Sequence, residues 1–157
     1  MRITNINPED NITLNFKWKE ALWCTGFNEN HTPTLDEFVS IKAMASKMEQ
    51  VREIFSHVYK QNIKIIVHSW IRPNMFWNTD SQKHGEDYND FIGGAINSAH
   101  IYGCAVDFHP HPIISCNNGR KVLLPHLERL GLRMENYPGN WIHIDTKPVL
   151  SNRFFRP

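Results

Sequence analysis

The chain has 157 residues, 41% of them hydrophobic and 21% charged, with 17 Lys and Arg against 16 Asp and Glu. That length suits one domain, residues 1–157, able to bury about two thirds of its unfolded surface, and the nine Phe and five Trp that supply core volume exclude a disordered chain. A net charge of +1 excludes a strongly basic nucleic-acid footprint, and no apolar run approaches the ~18 residues of a membrane span.

The N-terminal stretch MRITNINPEDN lacks the apolar segment of a signal peptide. The chain is therefore expected to stay in the cytoplasm unless lysis releases it. Three cysteines, Cys24, Cys104 and Cys116, form no CxxC pair and no disulfide framework. Nine histidines are an excess that raises the expectation of a metal site without locating it.

Thr34-Leu35-Asp36-Glu37 reads as a helix start, with Thr34 as N-cap and Glu37 as its capping-box partner. Phe38, Ile41, Ala45, Met48, Val51, Ile54, Phe55 and Val58 then recur at helical spacing, which predicts an amphipathic helix to about Tyr59. Asn62 ends it, and Ile63–Ser69 follows as a β-branched strand. Residues 71–90 read as a long polar loop, with Asn74–Asp87 as a lid, a groove rim or a plain loop. Strands are expected at 101–108 and 141–145, separated by a short helix carrying Leu123, Leu124, Leu127 and Leu130 and capped by Gly131. The pattern predicts a small α+β domain with a mainly antiparallel sheet and helices packed on it.

The chemistry concentrates in Ser98–Phe108. Alternation places Cys104, Val106 and Phe108 on one face and Gly103, Ala105 and Asp107 on the other. Gly103 permits a turn that brings His100 round towards Asp107. In the last strand Ile142 and Ile144 face the core, so Trp141, His143 and Asp145 share the opposite face. If the two strands pair, His100, Asp107 and His143 meet as three ligands for one Zn²⁺ with a fourth position open, as a catalytic site requires. Hydrogen-bonded structural histidines are the alternative that spacing leaves open.

The run Ser98-x-His100-x-x-Gly103-x-Ala105-x-Asp107, followed by Trp141-x-His143, resembles the M15 zinc peptidases, which include D-Ala-D-Ala carboxypeptidases and related phage endolysins. Ser69-Trp70-Ile71-Arg72-Pro73 is similar to that family's Ser-Gly-Tyr-Arg-Ser/Pro segment. Tyr88-Asn89 and Gly93-Gly94-Ala95-x-Asn97-Ser98 are similar to its approach to the first histidine, and the likeness covers most of residues 16–147. The resemblance implies a hedgehog/DD-peptidase-like fold, zinc on His100, Asp107 and His143, and cleavage of peptidoglycan stem peptides by a phage lysis or virion-associated enzyme, with a monomer as the expected state. It implies that Arg72 faces a substrate carboxylate or the oxyanion, and that Tyr88 and Trp141 lie on the substrate side. Trp141 packing into the interior is the alternative. Ser98 either bonds the bound peptide or caps the turn, and Asp145 either orients a histidine or ends a strand in solvent.

One departure concerns the general base. Many family members carry Glu three residues before the last histidine, where this chain has Asn140. An amide takes no proton at neutral pH. Glu135, Asp145, His109 and His111 are the candidates to replace it, unranked. A zinc-binding domain with weakened hydrolysis, serving as a peptidoglycan-binding or structural module, is the competing expectation.

Overall fold

The computed structural model describes residues 1–112 and 114–156. In chain order the elements are α1 (Trp18–Leu22), β1 (Trp23–Cys24), β2 (Glu29–Asn30), α2 (Leu35–Tyr59), β3 (Lys64–Ser69), α3 (Tyr88–Phe91), β4 (Ala105–His111), α4 (Cys116–Leu123), α5 (Leu127–Leu130), β5 (Arg133–Glu135), β6 (Ile142–Asp145) and β7 (Phe154–Phe155). The fold is α+β. Strands β1 and β2 form a small hairpin, and the main sheet runs β3-β4-β6-β5-β7, antiparallel except for the parallel β5–β7 pair.

Helix α2 starts where its capping box predicts. The Thr34 hydroxyl accepts from the Glu37 N–H at 3.3 Å, and the Glu37 carboxylate accepts from the Thr34 N–H at 2.6 Å. It ends at Tyr59, as the spacing predicts, with Lys60 at a left-handed φ of 51° as its cap in place of Asn62. Its buried stripe is Ile41, Met44, Ala45, Met48, Val51 and Phe55. Val58, expected in that stripe, is exposed. The stripe packs with Ile65, Val106, Phe108, Met134, Ile142 and Ile144 from one face of the main sheet. The helix thus covers one face, and the opposite face is left for polar side chains.

Three local readings need correction. The strand expected at 101–108 begins only at Ala105. Before it, Ala99–Tyr102 is a 3₁₀ turn capped by the Ser98 hydroxyl and closed by Gly103 at φ 70°. Strand β4 then continues past the expected end at residue 108, through Pro110 to His111. Strand β6 pairs only as far as Phe108↔Ile142, so β4 has an open edge beyond it that tolerates proline.

The segment expected to be a loop without structure is a docked hairpin. The Phe76 N–H donates to Glu86 O at 2.8 Å, the Asn78 N–H to Lys83 O at 2.8 Å, and the Thr32 N–H to Trp77 O at 2.6 Å. Phe76 is fully buried beside Cys24 and Tyr88, and the Lys83 ammonium lies 3.9 Å from the centre of the Phe27 ring. Two aromatic anchors, Phe76 and Trp77, outweigh the polar composition around them.

Candidate metal centre

The pairing of β4 with β6 sets Asp107 directly opposite His143 and Ala105 opposite Asp145. These residues lie on the sheet face away from α2, while their neighbours Val106, Phe108, Ile142 and Ile144 lie in the core. A β-bulge between Val67 and Ser69 in β3 brings Ser69 opposite Asp107. The extra residue lets His68 and Ser69 both serve the outer face, which strict alternation forbids.

His100 arrives from the 3₁₀ turn. That turn is tied to the chain after β3: the Trp70 indole donates to Gly103 O at 3.1 Å, and the Arg72 backbone N–H donates to His100 O at 2.9 Å. His100, Asp107 and His143 are all buried and form the one group of three or more metal-ligating side chains found among the described residues. His100 Nε2 lies 3.2 Å from Asp107 Oδ1 and 3.2 Å from His143 Nδ1, and His143 Nδ1 lies 2.7 Å from Asp107 Oδ1.

Every group behind these three atoms is held. His100 Nδ1 lies 2.7 Å from the Trp70 carbonyl, and His143 Nε2 lies 3.3 Å from Asp145 Oδ2. The Arg133 guanidinium grips both oxygens of Asp145 at 2.8 Å, and the Lys147 N–H adds a bond of 2.9 Å to Oδ1. The Arg72 guanidinium holds Asp107 Oδ2, and its Nε donates to Ser69 Oγ at 2.9 Å. With the far ring nitrogens bound to acceptors, His100 Nε2 and His143 Nδ1 turn inward beside Asp107 Oδ1. This is the support that metal-ligating imidazoles require. The group can hold a metal ion.

At each ionisable group of the site, burial and the neighbouring partners oppose one another. Burial pushes the Asp107 carboxyl upward, but bonds and charge from His100 and His143 outweigh it and hold the group far below the usual carboxylate range. Burial pulls His143 down, yet its bonds to Asp107 and Asp145 and the charges of Asp107 and Glu135 raise it to about 9. Burial dominates at His100, which is lowered. Burial raises Asp145, but His143, Arg133 and the Lys147 N–H bring it to about 2.

The other residues singled out in the sequence divide between the centre and its surroundings. Ser98 caps the turn, accepting from the His100 N–H at 3.3 Å. Asp145 is buried behind His143 and spent on Arg133, so it orients the imidazole. Trp141 is exposed, tilted against Tyr137. Tyr88 is buried among Phe27, Phe76 and Phe91, with its hydroxyl accepting from the Gly26 N–H at 3.0 Å. Asn140 lines an open groove of about 480 Å³ together with His68, His109, Ser115, Cys116 and Asn117. Strand β5 opposes Arg133 to Asp145 and Met134 to Ile144, which places half-buried Glu135 one rung further, beside His143.

Sequence reasoning missed Arg133, Trp70 and the bulge at His68. The signal for the first was the alternation Leu132-Arg133-Met134-Glu135 just after the Gly131 helix stop, a short strand with a charged outer face. Trp70 acts through its carbonyl, which carries no side-chain signature. No family model, curated protein or solved structure matches the chain.

Proposed function

We propose that the protein is a zinc metallopeptidase of the M15 type that cuts the peptide stems of bacterial peptidoglycan, acting in phage lysis or from the virion. The observation that carries this reading is the convergence of His100 Nε2, Asp107 Oδ1 and His143 Nδ1 inside the Ser-x-His-x-x-Gly-x-Ala-x-Asp and Trp-x-His pattern. The donor set, two imidazoles and one carboxylate with both far ring nitrogens held, fits zinc. Zinc supplies Lewis-acid polarisation of the scissile carbonyl when bound.

The chain's own groups do the rest. Arg72 fixes Asp107 Oδ2 so that Oδ1 points inward, and its remaining N–H groups are the donors for a substrate carboxylate or a developing oxyanion. Asp145, gripped by Arg133, keeps the proton of His143 on Nε2. Trp141, exposed two residues before His143, offers an apolar surface to the stem. Glu135 is the carboxylate beside His143 that makes no side-chain hydrogen bond among the described residues, and we assign it the proton-accepting role that Asn140 cannot fill.

The amide at Asn140 also favours a second reading, a domain that binds peptidoglycan without cutting it. Mass spectrometry of purified sacculi after incubation with the zinc-loaded protein separates the two. A defined new peptide terminus is expected. Intact stems with the protein retained on the sacculi would replace the peptidase reading by the binding one.

A further inference from the structure

Two more histidines meet on the same sheet face, outside the centre described above. His68, turned outward at the β3 bulge, places Nε2 2.6 Å from Nδ1 of His109 on β4, with the rings 4.8 Å apart. His109 lies two residues beyond Asp107 on that face, and both rings stand on the wall of the 480 Å³ groove. Neither imidazole has another side-chain or backbone partner among the described residues. Two ring nitrogens aimed at each other on an open wall contribute little to the fold. Their convergence repeats, without the burial, what the three ligands of the first centre do.

We propose that His68 and His109 form a second metal site, taking a borderline transition-metal cation such as Zn²⁺, Ni²⁺ or Cu²⁺ between His68 Nε2 and His109 Nδ1. Imidazole is the donor these ions share. Zinc–nitrogen bonds of about 2.0–2.1 Å in a tetrahedral arrangement need the two nitrogens roughly 3.3 Å apart. The observed 2.6 Å is therefore a hydrogen-bonded pair that opens by about 0.7 Å when an ion replaces the shared proton. His68 is exposed, so its side chain can make that movement. The remaining coordination positions face the groove and are open to water or to a carboxylate or carbonyl oxygen of a molecule lying there. The proposal does not rest on the peptidase reading, since the ion needs only these two rings.

The test is calorimetric titration of the metal-stripped full chain with Ni²⁺ and, separately, with Zn²⁺. The wild type takes two equivalents, the second the weaker. His68→Ala loses the weaker equivalent and keeps the tighter one, whereas His143→Ala does the reverse. His68→Gln, which keeps side-chain bulk at the bulge, repeats the His68→Ala result if imidazole ligation is the cause. One equivalent in the wild type, or a weaker equivalent that survives both His68 variants, overturns the site.

Discussion

Two histidine clusters share one face of one sheet and differ in what stands behind them. At His100, Asp107 and His143 the groups are buried, and the far side of each is fixed by the Trp70 carbonyl, by Arg72 or by Asp145 with Arg133. At His68 and His109 the side chains hydrogen-bond only each other among the described residues, on the wall of an open groove. Proximity of ligand atoms is thus common to both, and preorganisation belongs to one. A site whose ligands are already oriented spends less of its binding energy on ordering them. The first cluster should hold an ion tightly, and the second, whose side chains have no further tether among the described residues, more weakly.

The largest effect expected on that comparison is from His143→Ala. Removing one of three tethered ligands should abolish retention of zinc at the buried centre through dialysis, read by elemental analysis. Zinc held there as in the wild type would break the ligand assignment. Next comes Asp145→Ala, which leaves all three ligands in place but frees His143 Nε2 and strands Arg133. Loss of such a supporting carboxylate costs about 10–100-fold in metal affinity, and breaking a buried ion pair costs about 3–5 kcal/mol in urea unfolding. An unchanged affinity would mean that tethering is not what separates the two clusters.

pH sharpens the same point. Burial lowers His143, but its bonds to Asp107 and Asp145 raise it to about 9, so an ion must displace its proton below that value. Affinity at the buried centre should climb by about tenfold per pH unit between 6.5 and 9 and then level. Stability of the metal-free fold moves the other way on that limb. A folded pKa raised above 6.5 gives stability that is whole below 6.5 and is lost as pH rises through about 9. His100 is lowered, so the fold binds its proton less well than the unfolded chain does, and stability also falls as pH drops below 6.5. Thermal unfolding of the stripped protein should therefore peak near neutral pH. A profile that rises steadily to pH 9 would contradict the raised His143.

The smallest effect belongs to the exposed pair. His68→Ala should alter unfolding stability by no more than about 0.5 kcal/mol, because an exposed ring with one partner contributes little. A loss comparable to that of Asp145→Ala would make the pair a structural element.

Much of this was legible in the chain. Thr34 and Glu37 announce α2 because a capping box is a local hydrogen-bond pattern. Alternation in Val106-Asp107-Phe108 and Ile142-His143-Ile144 separates core from site because side-chain direction in a strand has a period of two. Those two runs and a turn at Gly103 bring His100, Asp107 and His143 together if the strands pair, a condition the spacing leaves open.

Tertiary structure decided what surrounds that meeting. Whether Arg72 faces solvent or Asp107, whether Asp145 ends a strand or clamps an imidazole, and whether the 74–87 segment hangs free or docks all depend on partners distant in sequence: Asp107 is 35 positions from Arg72, and Arg133 is 12 from Asp145. The bulge at His68 likewise appears only when β3 is laid against β4. Local sequence specifies period, caps and turns, because those energies act over a few residues. Register between strands and the pairing of buried charges are set by the packed sheet, where desolvation makes each unmatched group costly and leaves one arrangement that satisfies them all.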